Sequence, residues 1–221
     1  MFLSMLAGPS IAGIVMTAVT KGKNGLRELL SRMGRWRVGL RWYAAAILIP
    51  PVLIMAVLLT LSTLVSPDFA PGFNALGIII GLVAGFFEEI GWTGFALPRL
   101  QQKYSALGAA LLLGVLWSSW HLLADYLGSS VTLGALWLPH FFAMMILAMT
   151  AMRVLIAWVY NNTSSVLLAQ LMHASSTGFL AALGPSPISP ANDTLWYAIY
   201  ALVLWAAVAS VVASHGKKLH R

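Results

Sequence analysis

The chain has 221 residues, 60% of them hydrophobic and 9% charged, with a formal net charge of +7 and no cysteine. Soluble domains carry about 25% charged residues, so this composition excludes a soluble globular protein and reads as a membrane protein of the all-α class. No cysteine means no disulfide framework, no thiol chemistry and no Cys-ligated metal. The basic residues sit between apolar runs, so they read as a topology signal beside lipid head groups rather than a nucleic-acid surface.

Seven apolar runs reach the length of about 20 residues that a bilayer core requires. They lie near Met1–Thr20, Trp42–Val65, Ala75–Leu97, Ala106–Ala124, Ala135–Tyr160, Ser164–Leu183 and Thr194–Ser214. The expectation is a polytopic bundle of about seven transmembrane helices, forming a single transmembrane domain over residues 1–221. The first run has no basic flank before it and carries Gly8-Pro9 in its middle, so it reads as a retained helix rather than a signal peptide. Its abrupt start at Met1 suggests a further helix upstream of this sequence.

The segment between the first two runs is basic, and Leu26, Leu29, Leu30 and Met33 recur in it at helical spacing. It reads as a short amphipathic helix in the interface that sets topology. Pro50-Pro51 marks a kink in the second run, tolerable where neighbours satisfy the freed carbonyls. With alternating crossings, all thirteen Lys and Arg residues fall on one side and Asp68, Asp125 and Asp193 on the other. The positive-inside rule then places the N-terminus outside and the C-terminus in the cytoplasm. Arg153, near the end of the fifth run, reads as snorkelling to the inner surface. His140, at the outer end of that run, reads as an interhelical hydrogen-bonding residue.

The centre of the chain is polar where it should be apolar. Glu88 and Glu89 are adjacent in the third run, His121 lies in the fourth, and His173 lies in the sixth. A charged side chain at mid-bilayer costs roughly 3 kcal/mol or more, so intramembrane ionisable groups mark function. Adjacent helical residues differ by ~100°, so one glutamate can face a cavity while the other supports it. Glu89 and Thr93, Trp117 and His121, and His173 and Thr177 are pairs one turn apart. Small residues surround them and allow close helix approach. One carboxylate and two imidazoles suit water activation with an imidazole donor for an oxyanion. Two other classes compete: a proton-coupled carrier, disfavoured by the lack of internal repeats, and a non-proteolytic membrane scaffold.

The stretches FFEEIGWTGFALPRLQ, WSSWHLL and LLAQLMHASST resemble the three motifs of the CPBP intramembrane proteases, the CAAX prenyl endopeptidase type II and bacteriocin-processing (Abi) family. That family's pattern is Glu-Glu-x3-Arg, then Phe-x3-His, then His-x3-Asn/Asp, on three membrane helices. The resemblance spans Gly81 to about Gly178, with Trp117 at the Phe position, Thr93 at the Arg position and Thr177 at the Asn/Asp position. It implies an intramembrane endopeptidase in a prokaryotic plasma membrane, acting on a membrane peptide or protein. By the same resemblance, Glu88 with His121 activates water, His173 with Thr177 stabilises the oxyanion, and Glu89 supports them. A Zn²⁺ at Glu88, His121 and His173 is left open, as is the choice between prenylated proteins and bacterial peptides. Thr93 and Thr177 favour the alternative of a non-proteolytic bacteriocin self-protection or scaffold protein. Finally, His121 lies far along the fourth run while Glu88 lies nearer its own cytoplasmic end. A fourth helix that starts later than Ala106 would bring them level.

Overall fold

The computed structural model describes residues 2–220, and no strand occurs among them. Helix α1 spans Phe2–Met33 and bends at Gly22, whose φ of 58° and ψ of −153° leave the helical region. α2 covers Leu40–Leu64, and α3 covers Ala75–Gly91. α3 continues through a π-helical turn, Trp92–Ala96, into the short α4, Leu97–Leu100. α5 (Ala106–Trp120) and α6 (Leu122–Leu133) meet at a turn centred on His121. α7 (Trp137–Phe141), a π-helical stretch (Phe142–Met149) and α8 (Thr150–Thr163) form one long run. α9 spans Val166–Leu183, and α10 spans Pro190–His215.

Five helical stretches among the described residues are long and apolar enough to cross a membrane: Leu40–Leu64, Ala75–Leu100, Leu122–Thr163, Val166–Leu183 and Pro190–Lys218. The molecule is inverted relative to a soluble protein. Ile11, Val52 and Ile79 are exposed on its outside, while Glu88, Glu89, Arg153, Gln170 and His173 are buried within. That arrangement is the one a hydrocarbon surround selects, and the protein is an integral membrane protein.

Two close helix contacts build the interior. α3 meets α9 along Gly77, Gly81 and Gly85, spaced one turn apart. A Cβ at Gly81 would lie 2.4 Å from the Ala174 carbonyl oxygen, and one at Gly85 2.5 Å from the Ala174 nitrogen. Only glycine permits this approach, and one turn beyond Gly85 it delivers Glu89 to His173. α5 meets α8 at Gly114, where a Cβ would stand 2.8 Å from the Thr150 Cα. Three residues further along each helix come Trp117 and Arg153.

Proline leaves the carbonyl four residues earlier without its helical donor, and here other helices supply one. For Pro51 the freed carbonyl is Ile47, which accepts from Ser175 Oγ at 2.8 Å. For Pro98 it is Gly94, which accepts from Arg32 Nη2 at 2.9 Å. For Pro9 it is Met5, which accepts from Trp120 Nε1 at 3.3 Å. The expected rescue at Pro50-Pro51 is thus one of three such stitches holding the bundle together.

The amphipathic segment expected before α2 forms the last turns of α1. Leu29 is buried there, but Arg32 is no free interfacial cation, since Nη1 also donates to the Tyr160 hydroxyl at 2.7 Å. The fourth helix does not start late. Ser105 caps α5 by accepting from the Gly108 N–H at 3.1 Å, and the helix begins at Ala106 as composition indicates. What ends early is its other end, at His121.

Candidate active site

Glu88, His121, His173 and Thr177 line one cavity of about 250 Å³. Trp117 stands at its centre and explains the convergence. Its indole Nε1 donates to Glu88 Oε2 at 2.9 Å. Its ring meets His173 edge-on at 4.9 Å between centroids and His121 at 6.1 Å. The Trp117 carbonyl accepts from His121 Nδ1 at 2.9 Å. A carbonyl can only accept, so Nδ1 carries a proton and Nε2 is the ring nitrogen left for the cavity. The break between α5 and α6 makes this possible, because it lifts His121 out of a regular helix and leaves its side chain half-buried. Much of the remaining wall is apolar and adaptable, with Met144, Met145, Met149 and Met152, and Ser176, Tyr197 and Tyr200 add hydroxyls to it.

Glu89 does not line this cavity. It is fully buried and saturated. Arg153 forks onto it, Nη1 to Oε2 and Nη2 to Oε1, both at 2.7 Å. His173 Nδ1 donates to Oε1 at 2.8 Å, and Thr93 Oγ1 donates to Oε2. The π-helical turn places Thr93 here, its hydroxyl also within 3.3 Å of Arg153 Nη1. The two glutamates therefore occupy different surroundings, as the ~100° between adjacent helical positions requires.

Arg153 corrects the expectation from sequence. It does not snorkel; its side chain is wholly buried. It lies ten residues before the end of α8 at Thr163, or ~15 Å along the axis, beyond the reach of a side chain to the interface. Besides forking onto Glu89, its guanidinium carbon sits 4.2 Å from the centroid of the Trp117 ring, within cation–π distance. His140 makes no interhelical hydrogen bond of the kind expected; its Nε2 lies 3.0 Å from Asp193 Oδ2 of α10, within ion-pair distance.

Among the described residues no three His, Asp or Glu side chains gather closely enough to hold an ion. His173 Nδ1 is committed to Glu89, His121 Nδ1 to the Trp117 carbonyl, and Glu88 Oε2 to the Trp117 indole. These bonds leave both Nε2 atoms and Glu88 Oε1 uncommitted, so what the described residues lack for a metal centre is closeness rather than free donor atoms.

Residues 70–179 match the family model described as type II CAAX prenyl endopeptidase Rce1-like. The chain is similar to this family over that span. The matched span contains α3, α5, α8 and most of α9, and so all the residues that surround the cavity's polar end. A relative in the archaeon Methanococcus maripaludis, CAAX prenyl protease 2, is 26% identical over 229 residues, covering 97% of this chain and 80% of the relative. The Rce1-like assignment agrees with the three motifs read from sequence.

Proposed function

We propose that this protein is an intramembrane endopeptidase in which Glu88 activates water against a peptide bond held in the cavity. The observation that carries the reading is the meeting of Glu88, His121, His173 and Thr177, from three different helices, around one apolar cavity. Glu88 has one oxygen held by Trp117 Nε1 and the other free of described side-chain donors, which suits a general base. The carboxylate takes a proton from water, with His121 Nε2 helping to orient it. The resulting hydroxide forms a C–O bond to the scissile carbonyl carbon. His173 and Thr177 donate to the oxyanion. Since His173 Nδ1 already donates to Glu89, its Nε2 donates as part of an imidazolium, for which Glu89 supplies the counter-charge. When the C–N bond breaks, Glu88 returns its proton to the departing amine.

The family and the relative named above act, by their descriptions, on CAAX prenyl substrates. The Met-rich wall supports a substrate of that kind here, because it offers an apolar group a deformable surface beside the polar end. A farnesylated peptide ending in a CAAX sequence is therefore the substrate to try first. Purified protein should release the last three residues, identified by mass spectrometry, and an unprenylated peptide should be cut more slowly. No cleavage of either peptide or of a membrane-inserted protein would favour the non-proteolytic alternative. That alternative drew on Thr93 and Thr177; the guanidinium of Arg153 at Glu89 answers the first, and the Thr177 hydroxyl still offers the second one hydrogen-bond donor.

The same reading places the protein in a prokaryotic plasma membrane with the basic end in the cytoplasm. Arg32, Arg99 and Asn162 bond near one end, to Tyr160, Thr20 and the Leu219 carbonyl. Asp68, Asp125 and Asp193 meet Asn192, Trp137 and His140 at the other. By the positive-inside rule, a fluorescent protein fused after Arg221 should glow and a phosphatase fused there should be inactive. An active phosphatase would reverse the orientation.

A further inference from the structure

Position 93 holds Thr where the family's motif has Arg, one helical turn from Glu89. Yet the Glu89 carboxylate is paired with a guanidinium all the same, delivered by α8 rather than by its own helix. We infer that Arg153 is a positioning residue for the proposed hydrolysis, having taken over from across the bundle the cation that position 93 lacks. It acts through two arms. Through Glu89 it fixes His173 Nδ1, and so aims the opposite ring nitrogen at the cavity. Through the face of Trp117 it steadies the indole that holds Glu88 Oε2. The proposed base and the proposed oxyanion donor both depend on one buried guanidinium, although Arg153 itself does not border the cavity.

The arrangement also indicates that the cation can be moved. Thr93 Oγ1 touches both Glu89 Oε2 and Arg153 Nη1, so an Arg at 93 would bring its guanidinium to the same carboxylate once residue 153 is shortened. With Arg153 present, that space is filled and Thr93→Arg alone should impair the enzyme.

This inference rests on the protease reading, so wild type and Glu88→Gln are assayed beside the variants. Arg153→Met should keep KM near wild type, because the cavity wall is untouched, while kcat falls about 100-fold, the usual scale for a group that orients a catalytic one. Arg153→Lys keeps the charge but loses the fork, and should fall between, about tenfold down. Thr93→Arg combined with Arg153→Met should recover to within about tenfold of wild type, well above the product of the two single effects. A purely structural role would lower melting temperature and active fraction without this recovery of kcat. If Arg153→Met does not fold, the double variant and Arg153→Lys decide by the same criteria. A folded Arg153→Met with wild-type kcat, or a double variant no better than the worse single one, overturns the inference. An inactive wild type overturns the protease reading instead, and an active Glu88→Gln overturns Glu88 as its base.

Discussion

Glu88 and Glu89 are neighbours in sequence and opposites in environment. Glu88 borders a cavity and accepts one side-chain hydrogen bond, from Trp117. Glu89 is sealed from the cavity and accepts from Arg153, His173 and Thr93. A carboxylate with all its lone pairs engaged cannot take a proton from water without breaking what holds it. One with a free oxygen facing a cavity can. The pair thus divides the work: one carboxylate reacts, and the other holds the imidazole that the reaction needs.

The division can be broken by measurement, and the largest expected effect falls on Glu89. Glu89→Gln leaves Arg153 buried without its counter-charge, which costs about 3–5 kcal/mol of stability when one partner of a buried pair is removed. Thermal unfolding in detergent should show it as a large fall in melting temperature. Glu88→Gln, which buries no orphaned charge, should melt near wild type. For stability Glu89→Gln is therefore the more damaging of the two changes. Equal melting temperatures for the two variants would remove the contrast. A smaller effect is expected at Trp117. Trp117→Phe restores the family's aromatic but deletes the donor to Glu88, and a hydrogen bond to a charged group contributes roughly 1.5–3 kcal/mol. If that bond aligns the base, kcat should fall at least about tenfold. An unchanged kcat would mean that Glu88 is positioned by packing alone.

Much of this was legible in the sequence, because membrane helices announce themselves by length and because buried charge is costly enough to point at a site. Glu88, His121, His173 and Thr177 come together as their spacing on three helices suggests. Two things were not legible. The break at His121 has no Pro or Gly to mark it, since α5 ends in Trp-His-Leu. The pairing of Arg153 with Glu89 is a contact between residues 64 positions apart, set by the glycine approaches that pack α3, α5, α8 and α9. A clue existed nonetheless. A buried Glu whose motif Arg has become Thr, and an Arg deep within an apolar run, are complementary vacancies, and the second was too far from the helix end to snorkel.

Glu88 is the residue on which the proposed chemistry turns. Wild type and Glu88→Gln, purified alike and shown by thermal unfolding to be equally folded, should be compared for hydrolysis of one membrane-bound peptide. The amide keeps the shape and the bond from Trp117 but cannot accept the proton, so the predicted rate falls by at least ~10²–10⁴-fold. A folded Glu88→Gln that cleaves at the wild-type rate would contradict the assignment of Glu88 as the base.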